Sequence, residues 1–358
     1  MDTSPILIEL IAPNCDAKEV LISGSFNDWN TNSRVVKLTR KASGYYLGEA
    51  NWRGKQVNYK YHLGAWHRGE LNEWGTTTNN RSYDGNDSIR DHVHGFLNEG
   101  RYHSDAFLPY IEKLPTNLPL PKPFATRRIA ALLPAGYDKS SDRRYPVLYL
   151  QDGQNLYDEF APYGNWALDK RLAWLAERGM GDFIVIAIDH AEEKRTTEYA
   201  PPHCTSVGVG EADDYGDFVV NHLKPLVDRT YRTKPDRNHT AIGGSSMGAV
   251  ASLHVAMLKS KFFGRVMLFS PSIWIDPDLP DLWPVHKHGH TYVYLYGGME
   301  ESPGTAETFA LLAHEIPKLS NSKRRIFLQT KFEARATHNE TAWSRAFPAA
   351  AAFLFANN

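Results

Sequence analysis

Cysteine is nearly missing from this chain: Cys15 and Cys204 are the only two in 358 residues. They are far apart and in no metal-ligand spacing, so neither a disulfide framework nor a zinc site is expected. An excess of charge is missing as well. Lys and Arg number 40 against 41 Asp and Glu, for a formal net charge of −1, which excludes the basic footprint of a nucleic-acid or anionic-membrane partner. No apolar run approaches the length of a membrane span. The amino terminus, Met1-Asp2-Thr3-Ser4-Pro5, lacks the basic segment, apolar run and cleavage site of a signal peptide, so a cytoplasmic location is the expectation. What is present, 42% hydrophobic, 12% aromatic and 23% charged residues, belongs to an ordinary globular chain long enough for two domains.

Residues 1–98 read as strands and turns. Ile6–Ile11, Glu19–Ile22, Gly44–Gly48 and Val57–Leu63 are β-rich runs separated by Asn, Asp, Gly and Pro, the pattern of a small β-sandwich. Residues 99–123 read as a linker, because Leu114–Pro123 holds too many prolines for a helix or a central strand. From 124 to 358 compact apolar runs alternate with helix-like stretches. Arg128–Leu133, Pro146–Leu150, Phe183–Ile188, Arg265–Ser270, Tyr292–Tyr296 and Arg325–Gln329 predict strands. Trp166–Arg178, Asp214–Thr230 and Thr341–Ala356 predict helices, the last bent or divided at Pro348. Such alternation implies a mostly parallel sheet covered on both faces, an α/β fold.

Within that part Gly244-x-Ser246-x-Gly248 follows an apolar strand pattern and opens a helix of small residues. This is the setting of a nucleophile elbow, and Ser246 is the candidate nucleophile. A serine hydroxyl needs a general base, and the base needs a carboxylate to orient it. In the α/β-hydrolase order of serine, acid and histidine, Glu300 is the expected acid, with Glu301 or Asp276 as alternatives, and His338 is the expected base. The oxyanion is expected to be held by the backbone N–H of Met247 and by that of Gln154 or Asn155, in the loop opened by Gly153. Asn155, Tyr157, Tyr163, Trp166 and Trp274 are candidate substrate contacts.

The catalytic part resembles the esterase-D-like, or Putative esterase, family of α/β-hydrolases. The matching text is Tyr145–Asp158, Gly243–Gly248, Phe269–Trp274 and His338–Trp343, in the family's order over most of the domain. The resemblance implies metal-free and cofactor-free ester hydrolysis through an acyl-Ser246 intermediate. The family includes siderophore trilactone esterases, feruloyl and acetyl-xylan esterases and S-formylglutathione hydrolases. The amino-terminal part resembles an early-set sandwich of carbohydrate-binding module family 48, through Leu21–Asn30, Tyr59-Lys60-Tyr61 and Gly64-Ala65-Trp66. That resemblance implies sugar contact at Trp29, Lys60 and Trp66, with Asn86 a weaker fourth. One residue is missing between the lysine and the third-motif tryptophan, and Glu70–Arg81 is unlike a glucan binder. A packing module that shapes an active-site entrance is therefore favoured over a sugar-binding one.

The expected function is a serine carboxylic-ester hydrolase acting on small or carbohydrate-linked acyl esters of the acetyl or feruloyl type. A siderophore trilactone esterase, an acyltransferase using the same residues, and a glycan-binding protein with an inert esterase domain stand as alternatives. The expected partner is a small-molecule ester, with carbohydrate a second one and no nucleic acid or membrane.

Overall fold

The computed structural model describes residues 5–85, 88–98, 101–115, 127–137, 141–158, 161, 164–202, 208–275, 289–321 and 325–355. Cys204, Asn86, Tyr163 and Asp276 lie outside them. The chain divides into two units between Asp105 and Ala106.

In the first unit strands β1 (Ile6–Ile11), β2 (Glu19–Gly24), β3 (Val36–Ala42), β4 (Tyr45–Ala50), β5 (Val57–His62), β7 (Arg81–Tyr83) and β8 (Ile89–His92) form one sheet in the order β7-β5-β2-β3-β4-β1-β8. Neighbours are antiparallel except β1 and β8. The short strands β6 (Glu70–Leu71) and β9 (Gly95–Phe96) pair separately. Alternation decides which face is buried: Ile6, Ile8 and Leu10 of β1 and Val57, Tyr59 and Tyr61 of β5 enter one core. β5 and β8 stand near opposite ends of the strand order, yet the hydroxyls of Tyr59 and Tyr61 donate to Asp91 Oδ2 of β8 at 2.7 and 2.8 Å. The sheet therefore rolls over its own core. Arg81 fastens the seam, reaching Asp91 at 3.0 Å and the buried Glu70 at 2.8 Å. Burial pushes both tyrosine hydroxyls well above their ordinary range, which keeps them as donors.

In the second unit eight strands form one sheet: β10 (Tyr110–Lys113), β11 (Ile129–Leu133), β12 (Val147–Gln151), β13 (Ile184–Ile188), β14 (Thr240–Ser245), β15 (Arg265–Phe269), β16 (Thr291–Gly298) and β17 (Ile326–Glu333). Their order is β10-β11-β13-β12-β14-β15-β16-β17, with β10, β11 and β13 antiparallel and the remainder parallel. Strand β10 lies inside the segment expected as a linker and pairs with β11. The central strands β12 to β15 are buried along their whole length, which is why they read as unbroken apolar runs.

Among the described residues the helices are α1 (Leu168–Glu177), α2 (Arg195–Tyr199), α3 (Ala212–Phe218), α4 (Lys224–Thr230), α5 (Met247–Leu258), α6 (Thr305–Lys318) and α7 (Glu340–Phe355). The stretch expected as one helix from Asp214 to Thr230 widens into a π turn at Val219–Leu223. Pro225 accounts for it, since its nitrogen cannot donate to the carbonyl four residues back. Pro348, by contrast, does not divide α7. Helix α5 is buried from Met247 through Met257, so small residues rather than an amphipathic stripe let it press on the sheet. No helix among the described residues is long and apolar enough to cross a membrane.

Candidate active site

Three non-glycine residues at the carboxyl ends of neighbouring central strands have positive φ: Asp152 after β12, Ser246 after β14 and Ser270 after β15, at 59°, 56° and 48°. Such backbone strain costs about 1–3 kcal/mol per residue and persists only where surrounding structure holds it. At Ser246 it comes from the elbow itself, whose φ of 56° and ψ of −125° turn the chain from β14 directly into α5. A Cβ on Gly244 would lie 2.7 Å from the carbonyl carbon of Gly248, so the strand and helix backbones meet without room for side chains. Ser246 N–H donates to Phe269 O at 2.9 Å, and Ser246 Oγ pairs with Ser272 Oγ at 3.0 Å.

The carboxylate that meets His338 is that of Glu301. Its Oε2 accepts from His338 Nδ1 at 2.9 Å, and its side chain is 6% exposed. Glu300, the expected acid, faces solvent, and its backbone N–H donates to Ala336 O at 3.0 Å. The physical reason is the turn after β16. Gly298 N–H donates to Glu301 Oε1 at 2.6 Å, drawing the second glutamate inward and leaving the first outside. Adjacent acids look alike in a sequence, and this turn distinguishes them. Ser270 Oγ also donates to Glu301 Oε1, at 2.5 Å, and accepts from Trp343 Nε1 at 2.8 Å. The Trp343 ring stands edge-on to the His338 ring, with centroids 5.0 Å apart. Ser270 and Ser272 belong to no catalytic motif in the sequence, although both lie in the stretch Phe269–Trp274, and their place just past a central strand is the one signal they carry.

The loop after β12 is held from both sides. Arg195 grips Asp152 with two hydrogen bonds of 2.6 and 2.8 Å. Burial works against the guanidinium charge, and the Asp152 carboxylate more than restores it, so the Arg195 pKa lies above its ordinary range. A Cβ on Gly153 would lie 2.5 Å from Asp189 Oδ1, which makes glycine necessary there. The Gln154 side chain is engaged elsewhere. Its Nε2 donates to His190 O at 3.0 Å and its Oε1 accepts from His190 N–H at 2.9 Å. Asn155 N–H is spent on Asp152 O at 2.9 Å, which leaves the backbone N–H of Gln154 as the better of the two oxyanion candidates. Met247 opens α5, where the first N–H groups have no partner within the helix.

The other candidates divide. Asn155 Nδ2 lies 3.4 Å from Glu340 Oε1, and burial raises the Glu340 carboxyl above the usual range. Asn155 Oδ1 and Tyr157 Oη are buried without partners. Trp274 is 68% exposed, whereas Trp166 is buried and stacks on Phe269 at 5.3 Å. In the first unit Trp29 and Trp66 come together, with centroids 6.1 Å apart and planes 50° from parallel. Trp66 Nε1 donates to Trp29 O at 3.2 Å, and its ring lies 5.0 Å from that of His62. Lys60 lies two residues before His62 on the same strand face and is half-buried. Among the described residues no cluster of three or more His, Cys, Asp or Glu could hold a metal ion.

Known proteins share this architecture. A siderophore triacetylfusarinine C esterase of Aspergillus fumigatus is 30% identical over 146 residues, 38% of this chain and 48% of its own. An endo-1,4-beta-xylanase/feruloyl esterase of Xylanibacter ruminicola is 25% identical over 179 residues, 48% of this chain and 22% of its own. The match thus spans about half or less of either relative. The crystal structure of the enterobactin esterase from Shigella flexneri superposes with a TM-score of 0.55 at 15% identity, covering 98% of this chain and 92% of that one, a likeness of fold. Residues 125–354 match the family described as Putative esterase, and with an α/β-hydrolase sheet under a strained Ser246 the chain belongs to that family.

Proposed function

We propose that the protein is a serine carboxylic-ester hydrolase. The observation that carries this reading is the Glu301–His338 pair, in the same loop layer as a serine at a strained elbow. Ser246 Oγ attacks the ester carbonyl carbon while His338 Nε2 takes the hydroxyl proton, and Glu301 accepts from Nδ1–H and so fixes the tautomer that leaves Nε2 free. The backbone N–H groups of Met247 and Gln154 receive the oxyanion. Collapse of that intermediate expels the alcohol, protonated by His338, and leaves acyl-Ser246. Water, giving its proton to His338 Nε2, then attacks the acyl carbon; cleavage of the acyl–Oγ bond releases the carboxylic acid, and His338 returns the proton to Ser246 Oγ. Ser246 Oγ rests on Ser272 Oγ rather than on the imidazole, a looseness usual before substrate enters.

The substrate of this reading is a small or carbohydrate-linked acyl ester of acetyl or feruloyl type, in keeping with the Xylanibacter relative. A trilactone siderophore is the second reading, favoured by the relative named for triacetylfusarinine C. In the first unit, the tilt between Trp29 and Trp66 and the spent indole N–H of Trp66 favour a packing role over a flat sugar platform. The deciding experiment is fluorophosphonate labelling with Ser246→Ala as control, joined to a panel of acetyl, feruloyl and trilactone esters. Labelling and turnover that vanish in the variant are expected. An unlabelled native protein, or equal turnover in the variant, would sink the reading.

A further inference from the structure

We propose that Ser270 and Trp343 are positioning residues for the Glu301–His338 pair, joined in a relay that selects which oxygen of Glu301 meets the imidazole. The proposal rests on the serine-hydrolase reading above. Ser270 is buried, and its φ of 48° is unusual for a residue with a side chain. The donor sense of each bond in the relay is fixed. An indole Nε1–H can only donate, so Ser270 Oγ accepts from Trp343 and its single proton goes to Glu301 Oε1. Gly298 N–H supplies a second donor to the same oxygen. With Oε1 held twice, Oε2 is the atom turned to His338 Nδ1.

A glutamate has one more rotatable bond than an aspartate, so holding it in one orientation needs more contacts. Trp343 contributes twice, through its N–H to Ser270 and through its ring edge against the imidazole. Its place follows from the start of α7. Asn339 Oδ1 accepts from Ala342 N–H at 2.9 Å, and Asn339 O accepts from Trp343 N–H at 3.2 Å. The turn that presents His338 therefore also sets Trp343. Gly298 is fixed by the same packing, since a Cβ there would lie 2.3 Å from Ala336 O.

The test uses the full chain. Ser270→Ala is expected to lower kcat roughly 10- to 100-fold with KM nearly unchanged, the worth of one hydrogen bond to a charged group read as a rate. It should also shift or broaden the low-field proton resonance of His338 Nδ1–H, which a merely structural role would leave in place. Trp343→Phe keeps an aromatic ring beside the imidazole but removes the N–H together with part of the bicycle; because Ser270 Oγ can still donate to Glu301 Oε1, a smaller fall in kcat and a smaller movement of the resonance are expected. Native kcat and an unmoved resonance in Ser270→Ala overturn the relay. If that variant fails to give a native circular-dichroism spectrum, the same two measurements on Trp343→Phe decide. The resonance reads the pair without turnover, so Ser246→Ala that stays active would remove the serine-hydrolase reading while leaving the relay separately measurable.

Discussion

Glu301 Oε2 lies 2.9 Å from His338 Nδ1, and the neighbouring Glu300 points to solvent. Removing charge at the two positions should therefore have very unequal effects. Glu301→Gln keeps the shape but lets an amide N–H face Nδ1, favouring the tautomer that carries its proton on Nε2. If the proposed roles hold, a fall in kcat/KM on the order of 10³- to 10⁴-fold is expected, the size seen when the acid of a serine triad loses its charge. Glu300→Gln should stay within about twofold, as surface changes do. Steady-state kinetics on any ester the native protein turns over decides. Equal losses in the two variants would return the assignment to either acid.

Gly248→Ala should harm this protein although Gly→Ala inside a helix ordinarily gains up to about 1 kcal/mol. A Cβ there would lie 2.7 Å from Asp152 Oδ2 and 2.9 Å from Gln151 Cβ. Asp152 is fastened by Arg195 and has little room to yield. Overpacking of this kind costs about 1–3 kcal/mol, which outweighs the helix gain. The strain falls between the elbow and the loop offered for the oxyanion, so kcat/KM should fall together with thermal stability. A variant that melts higher and turns over normally would show the contact to be soft.

The sequence marks the parallel sheet by its apolar runs, the turn at Ser246 by its flanking glycines, and His338 by its place after a late strand. What stayed hidden depends on atoms several residues or several strands apart. Glu300 and Glu301 differ only by which of them receives the Gly298 N–H. Gln154 and Asn155 separate only once Asn155 N–H is seen bonded to Asp152 O. Arg195 lies 43 residues from Asp152, in a short helix with no motif to mark it. The amphipathic code reports burial well, as in β1 and β5, but is silent on hydrogen-bond partners across a sheet.

Arg195→Met should strip the buried Asp152 carboxylate of its cation. Removing one partner of a buried pair costs roughly 3–5 kcal/mol, and the lower end applies here because Arg195 keeps a quarter of its side-chain exposure. Adding Asp152→Asn should recover most of that stability, since the amide needs no cation and Asn tolerates the left-handed backbone of residue 152. A double-mutant cycle by thermal melting measures the coupling. Additive losses would mean that the pair contributes nothing jointly.

The first unit should lose stability in mild acid through His62. This ring is fully buried, its Nδ1 accepts from Gly64 N–H at 3.1 Å, and its Nε2 lies 2.9 Å from Ser23 Oγ. Because Ser23 Oγ donates onward to Asn30 O, Nε2 carries the proton, and a second proton on Nδ1 would confront a donor. Burial lowers the pKa from 6.5 to about 4. The unfolded chain therefore binds this proton as pH falls below about 6.5, while the folded chain resists until about 4, so stability is full above the first value and declines toward the second. At roughly 1.4 kcal/mol per pH unit the decline reaches about 3 kcal/mol. It should appear as faster hydrogen exchange of first-unit amides at pH 5 than at pH 7 after correction for intrinsic rates, and His62→Gln should flatten the difference. Since the His62 ring packs on Trp66, the indole should loosen over the same interval. A His62 ring that titrates near 6.5 by NMR, with protection unchanged between the two pH values, would remove this account.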